Sequence, residues 1–299
     1  MKTKRIVLTS LIMLVAASIL GGYLWIRFDV PVMEYDHTNV DSVYASWRLD
    51  KNGVATVYGS GSLPWLEAEY RENLMKAETA GSFYAFLKRR FDDCPIQKVV
   101  IGKDVSGMRD EDGVMSYHNY YLDHCRRLRE ITVDAENPYL SSADGVLYSK
   151  DGAVLLAYPA NKKDRSFTVP TGVTTIAEQA FRDSARIVSV TLPEGLRDIQ
   201  TFAFQYCKRL KNVSLPESLE TIGKGSFFAC GRLKTVVIPT GVEKIGEYAL
   251  GFGIKNNPVE DSDVAAVKGF KLLCGENAEA AKEYAETYGI VLKTGGTSK

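Results

Sequence analysis

The sequence predicts a β-rich solenoid of 23-residue coils, with a β-hairpin and helical module ahead of the coils and a β-α-β cap behind them. Three observations carry this. Apolar, Pro and Cys residues recur in columns at a step of 23 over residues 167–250. The composition is that of a globular chain, with 299 residues, 45% apolar and 25% charged, enough for one or two domains. A long apolar run behind a basic cluster opens the chain.

The opening run, "MKTKRIVLTSLIMLVAASILGGYLWIRF", is an export signal. Lys2, Lys4 and Arg5 precede 21 mostly apolar residues from Ile6 to Ile26, close to the ~20 a helix needs to cross a bilayer. Tyr23 and Trp25 stand where an interfacial belt belongs, and the leading cations favour a cytoplasmic N-terminus. Residues 1–27 are therefore expected to be an uncleaved transmembrane anchor with the body outside. The alternative is secretion after cleavage at Val15-Ala16-Ala17. Net charge is zero, but four cations and no acid lie in residues 1–27. The body is thus mildly acidic, with 33 basic against 37 acidic residues. That balance shows no nucleic-acid footprint.

The columns justify the coils. Pro170, Pro193, Pro216 and Pro239 form one, and Ile176, Ile199, Ile222 and Ile245 another. Phe181, Phe204 and Phe227, closed by Leu250, form a third; Ile187, Leu210 and Leu233 form a fourth, followed by Val190, Val213 and Val236. A fixed period of this size means stacked supersecondary units. Each unit reads as a short strand ("RLKNVSL"), a Pro exit, a second extended piece ("LETIG") and an Ala/Ser-Phe turn. Pro suits the exit because it has no N–H to give a ladder. Stacking then buries each column against its copies, at roughly 1.5–3 kcal/mol per large side chain.

The pattern P-x-[GS]-[VL]-x-x-I-x-x-x-[AS]-F-x-x-C-x-x-L-x-x-V-x-[LI]-P resembles the BspA-type leucine-rich repeat of bacterial surface proteins. It is specific over 167–250 and looser upstream, where "DHCRRLREITV" (123–133) has the same strand. "SSADGVLYSKDGAVLLAYP" (141–159) resembles the family's intercalated hairpin, with a turn at Lys150-Asp151-Gly152. "SWRLDKNGVATVYGSG" (46–61) is similar to its leading strand pair. "VKGFKLLCGENAEAAKEYAETYGIVL" resembles its terminal cap, with a helix that Asn277 N-caps and Gly289 ends. Residues 66–92 read as one or two amphipathic helices inserted where the family is shorter. The stride from Val99 to Ile131 is about nine residues too long, predicting an irregular first coil.

The expected organisation follows. Residues 1–27 are the signal anchor and 28–41 a linker; 42–122 hold the hairpin, helical insert and irregular coil. Residues 123–250 are the repeats with their hairpin insertion at 141–159, residues 251–293 the cap, and 294–299 a flexible tail.

Candidates for chemistry are few, and no enzyme, metal or cofactor is expected. "SYHNYYLDHC" offers His118, Asp123, His124 and Cys125, but the spacing matches no standard zinc pattern, and Cys125 shares a repeat column with Cys207 and Cys230. "YGSGSLPW" lacks the Lys-Ser/Thr and the helix of a phosphate loop. Five cysteines cannot all pair. Cys207 and Cys230 would lie about 4.8 Å apart in adjacent coils, within disulfide range. Column neighbours point the same way, however, and buried thiols pack as small hydrophobes.

One exposed regularity stands out. Arg186, Arg209 and Arg232 each precede the strand's Ile or Leu, with Arg127 equivalent upstream and Lys163 one stride earlier; Lys211 and Lys234 flank the same strands. Cations repeated every ~4.8 Å repel one another, which makes this row the candidate binding stripe. An acidic column of Asp198, Glu220 and Glu243 could neutralise it, and long basic stems also cover apolar edges. The resemblance implies surface exposure and an adhesion or interaction role and supplies no site residues. The expectation is a non-catalytic surface module that binds a protein, or an acidic glycan or wall polymer, tethered to a membrane. The alternative is an envelope spacer or an accessory subunit of a membrane complex with no ligand of its own.

Overall fold

The computed structural model describes residues 33–35, 45–60, 62, 66, 94–106, 122, 125–254 and 264–294. The expected membrane segment, the helices of 66–92 beyond Leu66, and His118, Asp123 and His124 lie outside these residues. Among the described residues no helix is long and apolar enough to cross a membrane.

The N-terminal module is a five-stranded sheet in sequence order: β1 (Met33–Tyr35), β2 (Ser46–Leu49), β3 (Val54–Tyr58), β4 (Lys98–Ile101) and β5 (Glu130–Val133). The first three pair antiparallel, and β3, β4 and β5 run parallel. β1 falls in the segment read as a linker, three residues being too short a run to show alternation. The β2–β3 turn is closed by Asp50, whose Oδ1 accepts from the N–H groups of Asn52 at 2.8 Å and Val54 at 2.9 Å. Trp47, Leu49, Val57, Ile101 and Ile131 point into the core. β4 and β5 pair directly, Lys98 opposite Glu130, so the long stride leaves their register intact.

A meander follows: β6 (Leu140–Ala143), β7 (Val146–Ser149) and β8 (Val154–Ala157). Its second turn includes the expected Lys150-Asp151-Gly152. Its first is Asp144-Gly145, both at positive φ (49° and 74°), the conformation of the two-residue hairpin turn that Asp-Gly favours.

The coils then stack in register on three sides. On one, β8 continues into β10 (Thr175–Ile176), β12 (Asp198–Ile199), β14 (Thr221–Ile222) and β16 (Lys244–Ile245), with Ile176, Ile199, Ile222 and Ile245 opposite one another. On the second, β9 (Ser166–Thr168), β11 (Ser189–Thr191) and β13 (Asn212–Ser214) pair in parallel. Pro170, Pro193 and Pro216 of the exit column sit past these strands, and each carbonyl accepts from the third residue on, as Pro216 does from Leu219 at 3.1 Å. On the third side the Ala/Ser-Phe turns bond to the next coil: Phe181 N to Ala203 O at 2.7 Å, Phe204 N to Ser226 O at 2.7 Å and Phe227 N to Ala249 O at 2.8 Å. The rings of Tyr158, Phe181, Phe204 and Phe227 stack in sequence, with centroids 4.8, 4.6 and 4.9 Å apart. Such pairs add about 0.5–1.5 kcal/mol each beyond the area they bury.

The turns also hold two columns of left-handed backbone: Gln179, Phe202, Gly225 and Tyr248, then Asp183, Tyr206 and Ala229. Such φ values are rare for bulky residues. Inter-coil bonds hold them, including Phe202 N to Lys224 O and Tyr206 N to Phe228 O, both 2.9 Å. Gly225 is needed twice over, since a Cβ there would lie 2.4 Å from the Phe202 ring.

The chain ends in β15 (Thr235–Ile238), β17 (Phe252–Ile254), β18 (Val264–Ala266), β19 (Lys271–Cys274), helix α1 (Glu279–Tyr288) and β20 (Val291–Thr294). β15, β19 and β20 form a parallel sheet, and β17 pairs antiparallel with β18. Gly289, left-handed at φ 63°, ends α1 as expected. Its N-cap, however, is Ala278, with no side-chain cap bond, and not Asn277. Ala278 is buried against the core while Asn277 is exposed, so burial places the helix start. The Tyr284 hydroxyl donates to Leu250 O and accepts from Leu250 N, both at 2.9 Å. One phenol thereby supplies the last coil with bonds that a further coil would make. Burial raises the hydroxyl's pKa.

Of the expected apolar columns all are buried except Val213 and Ile245, which are half-buried. The strand of Ile245, β16, has β14 on one side and, among the described residues, no strand on the other.

Candidate binding face

Every cation of the stripe is exposed: Arg127, Lys163, Arg186, Arg209, Lys211, Arg232 and Lys234. The fold explains their alignment. Arg186, Arg209 and Arg232 each precede a buried residue, Ile187, Leu210 or Leu233, which fixes the backbone while the long basic side chain reaches solvent. Lys211 N bonds to Val188 O at 2.8 Å, so the ladder already runs in register at this edge. Rows in paired strands repeat at about 4.8 Å.

Beside this basic rim the strands offer a feature the column reading missed. Phe167, Val190 and Val213 turn towards the core, so the residues flanking them face outward. Ser166, Ser189 and Asn212 stand opposite one another in one outward row, and Thr168, Thr191 and Ser214 in the next. All but the half-buried Ser189 are exposed. Thr235 and Val237 of β15 hold the equivalent outward positions one step of 23 later. The signal was legible as S-F-T, S-V-T, N-V-S and T-V-V, one triplet per coil.

Among the described residues the acidic column makes no ion pair with the rim. Glu220 pairs with Arg197 at 2.7 Å. Asp198 is half-buried, and desolvation raises its carboxyl pKa while a hydrogen bond with Gln200 lowers it. Among the described residues no carboxylate is in ion-pair range of Arg186, Arg209, Lys211, Arg232 or Lys234. Two of these five have a neutral partner: Arg186 Nε donates to Asn161 Oδ1 at 3.0 Å, and Lys234 Nζ to Lys268 O at 3.0 Å.

Cys207 and Cys230 are thiols, as are the other three cysteines. Cys207 Sγ donates to Phe181 O at 3.0 Å and Cys230 Sγ to Phe204 O at 3.1 Å. Burial and the neighbouring Cys230 push the Cys207 thiol up. A cavity of about 20 Å³ lies between Cys125, Tyr158, Arg182 and Asp183, room for about one water molecule. The candidate site, the row of exposed cations, is a surface.

Residues 159–256 match the model of the BspA type leucine rich repeat region. These coils are BspA-type leucine-rich repeats. Solved structures with similar folds are bacterial. The pneumococcal vaccine antigen PcpA is 24% identical, with a TM-score of 0.46 over 68% of this chain and 56% of its own. A leucine rich cell surface protein of Faecalibacterium prausnitzii is 21% identical, with a TM-score of 0.50 over 68% of this chain and 48% of its own. A leucine-rich repeat protein of Eubacterium ventriosum is 16% identical, with a TM-score of 0.43 over 83% of this chain and 79% of its own. The chain thus spans about half the length of the first two. No curated protein matches it. The likeness to the F. prausnitzii protein is one of fold, and for the BspA-type coils it is a β-rich leucine-rich-repeat fold.

Proposed function

We propose that this chain is a non-catalytic surface module whose BspA-type repeats bind an acidic polymer, glycan or polypeptide, along the ladder of β9, β11 and β13. Residues 6–26 hold it at the membrane with the body outside, and the organisation runs from anchor through hairpin module and repeats to a β-α-β cap. One observation carries the binding reading: exposed cations at the edge of the in-register β9, β11 and β13, with Arg232 one step of 23 further on ahead of β15, border outward hydroxyls, and no described carboxylate pairs with Arg186, Arg209 or Arg232. Exposed charges are largely screened beyond about 8 Å at physiological ionic strength, so a row stepped at about 4.8 Å acts collectively on one ligand. Arg grips carboxylate or phosphate bidentately, and hydroxyls suit the polar remainder of a glycan. The printed description of the F. prausnitzii structure as a cell surface protein agrees with an outside location.

The test is binding of the full-length protein to immobilised acidic and neutral polysaccharides over a salt series. Wild type should retain the acidic polymer and release it as salt rises. The triple variant Arg186→Gln, Arg209→Gln, Arg232→Gln should fold with an unchanged melting temperature and lose most of that binding. Equal binding by the triple variant would reduce the stripe to solvated surface and leave the spacer reading. The full-length protein should also sediment with membranes; a soluble species beginning near Ser18 would replace the anchor with a cleaved signal.

A further inference from the structure

Cys94 and Cys125 stand apart from the other cysteines. Each lies just ahead of one strand of the parallel pair β4–β5, and their sulfurs are 3.8 Å apart. Both are buried, at 2% and 1% exposure. Their relation differs from that of Cys207 and Cys230, which share one repeat column and each donate to a carbonyl. Ile96 and Leu128 occupy equivalent positions, each three residues before the paired Val99 and Ile131. Cys125 lies three residues before Leu128, but Cys94 only two before Ile96. That one-residue offset removes the pair from the rung-like arrangement of a column and sets one thiol against the other.

We propose that Cys94 and Cys125 close into a disulfide in an oxidising compartment, stapling the N-terminal module across β4 and β5. A disulfide has an S–S bond of about 2.05 Å and Cα atoms about 4.4–6.8 Å apart. The sulfurs already lie 3.8 Å apart just ahead of the β4–β5 pair, and side-chain rotation supplies the rest of the approach. The step takes two thiols to one disulfide, with release of two protons and two electrons. The electrons and protons pass to an acceptor disulfide, that of a thiol–disulfide oxidoreductase or a small disulfide such as oxidised glutathione, which leaves as two thiols. One cysteine thiolate attacks the acceptor, and the second displaces it from the mixed disulfide. Cys125 lines the small cavity beside Tyr158 and Asp183, and local opening of the module admits the acceptor there. The bond closes a loop of about 30 residues, a length at which cross-linking restricts the unfolded chain appreciably.

Formation in the cell rests on the export proposed above; formation in a defined redox buffer does not, so the two fail separately. Purified full-length protein is equilibrated under native conditions with oxidised or reduced glutathione, remaining thiols are alkylated after unfolding, and the chain is digested without reduction. The oxidised sample should yield the Cys94 and Cys125 peptides joined and two hydrogens lighter than their sum, with Cys207, Cys230 and Cys274 alkylated. Its melting temperature should exceed that of the reduced sample by about 5–10 °C. Cys94→Ala and Cys125→Ala should abolish that difference; if either fails to fold, the wild-type pair of measurements decides alone. Five alkylated cysteines, a link between any other pair, or a Cys94–Cys125 link without a rise in melting temperature would overturn the staple.

Discussion

Asn137 shows how much one side chain outside the repeat columns can hold. It is fully buried and uses all four of its hydrogen-bonding positions. Its Nδ2 donates to Gly102 O at 2.8 Å and Val105 O at 2.9 Å, beyond the end of β4. Its Oδ1 accepts from Tyr139 N and Leu140 N, both at 2.8 Å, where the meander begins. The side chain thus joins two segments about 35 residues apart in sequence. Asn137→Ala removes the partner of four backbone groups, and an unsatisfied buried group costs about 1–3 kcal/mol. The expected loss is above about 3 kcal/mol by denaturant unfolding, against almost none for the exposed neighbour in Glu136→Ala. Equal midpoints for the two variants would mean that water replaces the amide. No property of the sequence marks Asn137: it stands in no column, and its partners are backbone atoms with no residue signature.

At the scale of the element, what repeats was legible and what does not repeat was harder. The Ile, Phe and Leu columns named the buried faces because burial is the same in every coil, and a column averages away the accidents of any one residue. The rows of outward Ser and Thr repeat just as regularly, yet polar positions carry no burial requirement to make them conspicuous. The left-handed columns were hidden for a different reason. Phe202, Tyr206 and Tyr248 are not the residues that favour positive φ; inter-coil hydrogen bonds impose it. At the cap, N-cap preference pointed to Asn277, while the burial of Ala278 decided the start. Of the proposed binding stripe the sequence showed the recurrence at a step of 23, but not that Glu220 would turn to Arg197. A paired substitution checks the columns. Ile222→Asp places a carboxylate in a fully buried site between Ile199 and Ile245. The expected cost exceeds about 4 kcal/mol. Glu217→Ala, exposed past the Pro exit, should stay within about 0.5 kcal/mol of wild type. Comparable melting temperatures would contradict the inward assignment of Ile222.

For the molecule as a whole, each coil touches chiefly its two neighbours, so its stability is a sum along the stack, closed at one end by the meander and at the other by the sheet and helix around Tyr284. This has a consequence that ordinary globular domains do not share: a whole coil is removable, and half a coil is not. Deleting residues 194–216 joins Pro193 to Glu217 and reproduces the Leu-Pro-Glu junction present at both places. Ile199 leaves its column and Ile176 meets Ile222; Phe204 leaves the stack and Phe181 meets Phe227. The two ends are untouched, and every remaining ladder bond finds an equivalent partner one step on. The shortened protein should fold cooperatively, with a native-like circular dichroism spectrum per residue and a modestly lower melting temperature, since one set of neighbour contacts is gone. Deleting residues 194–205 instead brings Pro193 against Tyr206. The Pro, Ile and Phe columns of one side then oppose the turn and Cys positions of the other, putting polar groups in the core without partners. That variant should be unfolded or insoluble. If both deletions fold equally well, or both fail, the coils do not act as interchangeable units and the additive picture of the stack is wrong.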